Sequence, residues 1–193
     1  AASAPGARPA RPVRVHHLTR AKERGERLTM LTAYDAVTAR ILDEAGTDML
    51  LVGDSIGNVM LGHDTTLPVE LDEMVVATRS VARATRRALV VADLPFGTYE
   101  ASPEQALASA VRLMKTGANA VKLEGGRQRA EAVRALTQAG IPVVAHVGFT
   151  PQSVNKLGGF RVQGRGEAAA QEMVEDVCAL AEAGAVAVVL EMV

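Results

Sequence analysis

The chain has 193 residues, 48% of them hydrophobic, enough to bury a substantial core as one domain or most of one and too apolar for a disordered protein. Lys and Arg total 21 against 22 Asp and Glu, and the basic residues are scattered, so nucleic acid and anionic membranes are poor partners and small ligands are favoured. No apolar run approaches the roughly 20 residues that span a bilayer, the longest comparable stretch being AGAVAVVL at 183–190, so a soluble protein is expected.

Residues 1–14, AASAPGARPARPVR, lack the apolar segment of a secretory signal and read as a flexible tail ahead of a single domain at 15–193. A strand near 28–33 leads to a helix near 35–45 that stops at Gly46. The second strand, near 49–53, runs LLVGD into Asp54 and Ser55. After a long connection at 54–69, which contains His63, comes a helix near 70–86. A third strand, 89–94, reads LVVAD and ends on Asp93. Ser102 and Pro103 then supply an N-cap with proline at the first helical position, and Gln105 completes a capping-box pattern for a helix near 103–116.

The fourth strand, 120–123, lies in NAVKLE and carries Lys122 and Glu124. A helix near 128–139 precedes the fifth, 143–146, which reads VVAH and ends on His146. The second long connection, 147–166, contains KLGGFRVQGRG, whose glycines suit equally a mobile lid and a solvated surface loop. A helix near 167–183 bears Cys178, the one cysteine, expected to be a buried apolar thiol in a chain from a reducing compartment. The sixth strand, 186–190, reads AVVLE and ends on Glu191. Gly46, Gly117, Gly140 and Gly184 stand where a left-handed helix C-cap is expected.

Strict alternation of strand and helix predicts parallel strands. No G-x-G-x-x-G follows the first strand, and polar residues end five strands, so the pattern favours an α/β, TIM-type (β/α)8 barrel over a Rossmann sheet. Such a barrel usually takes around 250 residues. Only its first six βα units are therefore expected here, with two more belonging to the native protein.

In a barrel the strand ends converge. Asp54, Asp93 and Glu124 would sit on adjacent strands, and hard carboxylate oxygens without a Cys or His pair suit Mg2+. One strand-end acid serves as readily to cap a helix or to pair with a base; three on neighbouring strands favour a shared ion. Lys122 lies two residues before Glu124, so both point to one side, where the lysine would hold a substrate carboxylate or pair with Glu124. His146 suits a substrate oxygen, a metal-bound water or packing. Ser55 suits either a carboxylate contact or an ordinary turn, and His16, His17 and His63 are weaker candidates. Glu191 would enter the same cavity from the far side, where a desolvated carboxylate can act as general base.

The blocks GDSIGNVMLGHDTTLPV, VVADLPFGTYEAS, NAVKLEGG, PVVAHVGFTPQSV and LGGFRVQGR, spread from about residue 13 to the last, resemble the ketopantoate (3-methyl-2-oxobutanoate) hydroxymethyltransferase family. The resemblance implies a cytoplasmic (β/α)8 enzyme of pantothenate biosynthesis that assembles as a decamer. It also implies Mg2+ held by Asp54 and Asp93, with Glu124 in or near the coordination shell. A keto acid would be contacted by Asp54, Ser55, Asp93 and Lys122, and Glu191 would accept a proton. The reaction so implied moves a one-carbon unit from 5,10-methylenetetrahydrofolate to 3-methyl-2-oxobutanoate through a Mg-stabilised enolate, giving 2-dehydropantoate. Residues 155–166 would act as the lid. Two other readings stand beside it: a Mg-dependent carbon–carbon lyase or mutase of the phosphoenolpyruvate type, and a catalytically silent barrel used as a scaffold. The lyases would show a reactive cysteine in a loop, and a scaffold gains nothing from clustered acids.

Overall fold

The structure, a computed structural model, describes residues 11–193. Most of the expected N-terminal tail lies outside the described residues. At its inner end the Val13 amide donates to the Arg87 carbonyl at 2.7 Å, and helix α1 (Val15–Glu23) begins two residues on.

Among the described residues six strands form one parallel sheet in chain order: β1 (Met30–Thr32), β2 (Met49–Val52), β3 (Leu89–Asp93), β4 (Ala120–Glu124), β5 (Val143–Gly148) and β6 (Ala187–Glu191). Between them lie α2 (Ala36–Glu44), α3 (Ile56–Val59), α4 (Leu71–Ala84), α5 (Pro103–Met114), α6 (Ala130–Gln138), α7 (Val154–Leu157) and α8 (Glu167–Glu182). The sheet curls. Side chains from β1 (Met30, Thr32) and from β6 (Val189, Glu191) line one cavity together with residues of β2, β3 and β4.

Strand alternation sorts the apolar residues into two layers. Leu50, Val52, Val90, Ala92, Val121, Leu123, Val143 and Ala145 face the helices, where they pack with Met74, Val81, Leu113 and Leu136. Leu89, Val91, Ala120 and Val144 face the concave side, and Met49, Leu51, Ala187 and Val189 pack against them. That inner layer is closed at the amino ends of the strands by Val13, Val15 and Leu18. Helix α1 is thus a plug, and the sequence conceals it: its few apolar residues are separated by His, Arg and Lys, so its burial depends on a surface built by five strands, β2 to β6.

The expected helix stops hold. Gly46, Gly117, Gly140 and Gly184 have φ of 92°, 111°, 82° and 104°, each following a helix. Ser102 Oγ accepts from the Gln105 amide at 3.2 Å, while the Gln105 side chain reaches the Ala101 amide at 2.9 Å, one residue short of a reciprocal capping box. Asp43, buried at the end of α2, accepts from the amides of Arg86, Arg87 and Ala88 at 2.7–3.2 Å and so fixes the turn that starts β3. One packing expectation fails: Cys178 is exposed. The face of α8 that carries it is flanked by Val174 and Leu190, each 55% exposed, and among the described residues nothing lies over it.

Candidate active site

The carboxyl ends of β2 to β6 open into a cavity of about 300 Å3 lined by Asp54, Ser55, Thr66, Asp93, Lys122, Glu124, His146 and Glu191. Parallel register explains the convergence. Asp93 pairs with Lys122, Glu124 with His146, and Gly148 with Glu191, so each strand delivers its polar residue at nearly the same height on the concave side. The apolar inner layer below ends where these residues begin.

Lys122 Nζ stands 3.2 Å from Asp93 Oδ1, 3.7 Å from Glu124 Oε1 and 3.3 Å from His146 Nδ1. Burial opposes its charge, but Asp93, Glu124 and Asp54 outweigh that and push its pKa up to about 12. The lysine therefore stays protonated. Three buried carboxylates surround this single ammonium group, leaving an excess of negative charge that the protein does not neutralise. The imbalance shows in the acids. Burial raises Asp93 to about 7, Lys122 opposing the shift and Asp54 adding to it, and burial raises Asp54 as well. Glu124 differs: burial works against its ionisation, but His146, Lys122 and the Gln152 amide prevail and hold it below the ordinary carboxylate range.

Asp93 Oδ2 accepts the Asp54 backbone amide at 3.0 Å, whereas Asp93 Oδ1 and Glu124 Oε1 are buried with no aligned hydrogen-bond donor. Buried carboxylates that outnumber the one ammonium group beside them fit a divalent cation. Among the described residues, however, no group of three or more His, Cys, Asp or Glu side chains is arranged to enclose an ion. The three expected ligands share the cavity, and Glu124 is also engaged within the protein. Its Oε2 accepts the Gln152 amide at 3.0 Å, and its Oε1 lies 3.4 Å from His146 Nδ1. Such a donor set, in which Asp54 and Asp93 leave room for waters and a ligand's oxygens, suits Mg2+, which keeps several waters and takes one or two carboxylates.

Glu191 reaches the cavity from β6 as expected, with Oε2 3.3 Å from His146 Nε2, but its side chain is 40% exposed instead of desolvated. His146 is therefore flanked by Glu124 on one nitrogen and Glu191 on the other. Ser55 Oγ shares a 2.8 Å hydrogen bond with Tyr34 Oη at the cavity wall. His16, His17 and His63 do not line the cavity. In the loop expected as a lid, Phe160 packs on Phe149 with ring centres 4.8 Å apart, and the Gln163 amide donates to the Met192 carbonyl at 2.8 Å.

Strand-end reasoning did not single out three buried residues: Thr66, Tyr99 and Gln152. All lie in connections, where neither alternation nor helical period marks a side chain as inward. Gln152 Nε2 donates to Asp54 Oδ2 at 2.8 Å and to the Leu94 carbonyl at 3.0 Å, and its Oε1 accepts from Tyr99 Oη at 2.5 Å. The one available signal was their presence in the ordered blocks around Asp54, Asp93 and His146.

A sequence model of the ketopantoate hydroxymethyltransferase family matches residues 12–193. The 3-methyl-2-oxobutanoate hydroxymethyltransferase of Rhodococcus jostii (strain RHA1) is 63% identical over 186 residues, covering 96% of this chain and 64% of the relative. Its counterpart from Mycobacterium tuberculosis (strain ATCC 25618 / H37Rv) is 60% identical over 189 residues, covering 97% and 67%. The chain thus spans about two thirds of the length of these relatives. Among solved structures, phosphonopyruvate hydrolase superposes with a TM-score of 0.70 at 17% identity, covering 93% of this chain and 63% of that one. A 2,3-dimethylmalate lyase of the PEP mutase/isocitrate lyase superfamily gives 0.63 at 21%, covering 92% and 63%. At such identities these two show a shared fold alone. The chain belongs to the ketopantoate hydroxymethyltransferase family.

Proposed function

We propose that the chain supplies the metal-binding and keto-acid-binding side of a TIM-type (β/α)8 hydroxymethyltransferase. It would transfer a one-carbon unit from 5,10-methylenetetrahydrofolate to 3-methyl-2-oxobutanoate, giving 2-dehydropantoate and tetrahydrofolate. The observation that carries this reading is the convergence of Asp54, Asp93, Lys122, Glu124, His146 and Glu191 on one cavity of about 300 Å3, in a chain of this family.

Mg2+ held by Asp54 and Asp93, with Glu124 beside them, would supply Lewis acidity at the keto oxygen. Lys122, permanently cationic, binds the substrate carboxylate and keeps Asp93 from repelling it. Ser55 and His146 orient the substrate oxygens. Glu191 takes the proton from C3, and His146 Nε2 at 3.3 Å keeps its carboxylate turned inward. The C3 electron pair so released forms the new bond to the methylene carbon; both of that carbon's bonds to folate nitrogens break, water oxygen takes the second place as the hydroxyl group, and the C3 proton and one water proton end on the two nitrogens of tetrahydrofolate. Cytoplasmic location and decameric assembly belong to the same proposal, and the exposed apolar side chains Val37, Ile41, Val59, Met60 and Val76 suit subunit contact.

The deciding experiment follows deuterium uptake from solvent into C3 of 3-methyl-2-oxobutanoate by the complete protein, with and without Mg2+ and tetrahydrofolate. Uptake that requires Mg2+, with hydroxymethyl transfer once methylenetetrahydrofolate is added, is the expected result. Carbon–carbon cleavage instead would favour a lyase, and no uptake would leave only a scaffold.

A further inference from the structure

We infer that Gln152 is a positioning residue that sets the direction of the Asp54 carboxylate, and that Tyr99 in turn sets the direction of Gln152; this rests on the proposed metal and keto-acid site. Gln152 is 5% exposed and Tyr99 2%. The polarity of the chain of hydrogen bonds admits one arrangement. The Glu124 amide donates to Tyr99 Oη at 3.2 Å, using the hydroxyl as an acceptor. The single hydroxyl proton then goes to Gln152 Oε1, the shorter of its two acceptor contacts at 2.5 Å, against 3.2 Å to the Glu124 carbonyl. With Oε1 so engaged, Nε2 must face Asp54 Oδ2 and the Leu94 carbonyl, and both of its protons are used.

The consequence is geometric. Holding one carboxylate oxygen from behind fixes the plane of the group and hence where its other oxygen lies, which is the oxygen left for a ligand. The same residue's backbone amide holds Glu124 Oε2 at 3.0 Å. One residue after β5 thereby secures two acids that stand on β4 and just beyond β2. Tyr99 is itself held from outside the cavity by Arg129, whose guanidinium lies 5.4 Å from the ring centre. An apolar residue of similar length at 152 would fill the space and remove both donors.

The test uses the complete protein with Gln152→Met, Tyr99→Phe and the double variant. Mn2+ affinity is read by electron paramagnetic resonance, and kcat and KM by deuterium exchange into the keto acid. Gln152→Met is expected to weaken Mn2+ binding by about 10- to 100-fold and to raise the keto-acid KM, at a temperature where it is fully folded. Tyr99→Phe is expected to do the same to a smaller extent, and the double variant to be no weaker than Gln152→Met. Wild-type Mn2+ affinity in Gln152→Met, or losses that add independently in the double variant, would overturn the inference. If Gln152→Met does not fold, Tyr99→Phe decides alone, and unchanged Mn2+ affinity in it overturns the claim. Wild-type protein that neither binds Mn2+ nor exchanges would instead remove the functional reading on which the inference stands.

Discussion

Lys122 Nζ and Asp93 Oδ1 lie 3.2 Å apart on residues that are register partners in neighbouring strands, and both side chains are almost completely buried. A buried pair of this kind is costly to split, because the survivor keeps its desolvated charge without a partner. Lys122→Met is therefore expected to destabilise the protein by about 3 to 5 kcal/mol, with Asp93→Asn in the same chain restoring part of the loss. Urea unfolding of the single and double variants measures both. Equal stability of Lys122→Met and wild type would show that the ammonium group carries no such structural role.

The same pair predicts how stability varies with pH when no divalent ion is present. Asp93 has its folded-state pKa raised from 3.8 to about 7, chiefly by burial. Between those values the folded protein keeps a proton that the unfolded chain has released, so stability falls as pH rises through this window. Asp54 acts in the same sense, and Glu124, whose pKa is lowered, in the opposite one. Asp93→Asn should flatten the decline in urea midpoint between about pH 4 and 7. Loading with Mg2+ should release protons near neutrality, which calorimetry in two buffers of different ionisation enthalpy would register as different observed heats; identical uncorrected heats in the two buffers would count against it.

Glu191→Gln keeps the shape of the β6 terminus and removes the base. The variant should bind 3-methyl-2-oxobutanoate about as tightly as wild type while its C3 deuterium exchange falls by about 100-fold or more. His146→Asn should lower exchange less, since it loosens Glu191 without removing it. Retained exchange in Glu191→Gln would mean that the proton leaves to another group.

Gly148 couples β5 to that base. It has φ of 92°, and a Cβ built on it would overlap the Glu191 carbonyl oxygen across the strand pair. Gly148→Ala is expected to destabilise the protein by about 1 to 3 kcal/mol and to lower exchange by shifting β6. Thermal melts with exchange rates test this. A stable variant with normal rates would show that β6 accommodates the methyl group freely.

Much of this architecture was legible because its signals are local. The runs LLVGD, LVVAD, NAVKLE, VVAH and AVVLE mark strands by composition, and glycines such as Gly46 and Gly184 mark helix ends by a conformation few other residues adopt. Alternation placed Lys122 and Glu124 on one side, and there they are found. Helix α1 escaped because its apolar face is defined by what it covers. Cys178 was misplaced because a helical pattern tells which residues share a face and not what lies against that face.

The amino-acid sequence by itself determined the order of strands, their parallel sense and the strand-end residues, since each depends on short-range periodicity and chain connectivity. Only the tertiary structure decided which polar atoms share a cavity, that Glu124 is held by His146 and Gln152, and that Tyr99 and Gln152 stand behind the acids. Those outcomes depend on distances between residues far apart in the chain, as Gln152 and Asp54 are at 98 positions, and on a competition for hydrogen bonds in a low-dielectric interior that exists only once the sheet has curled.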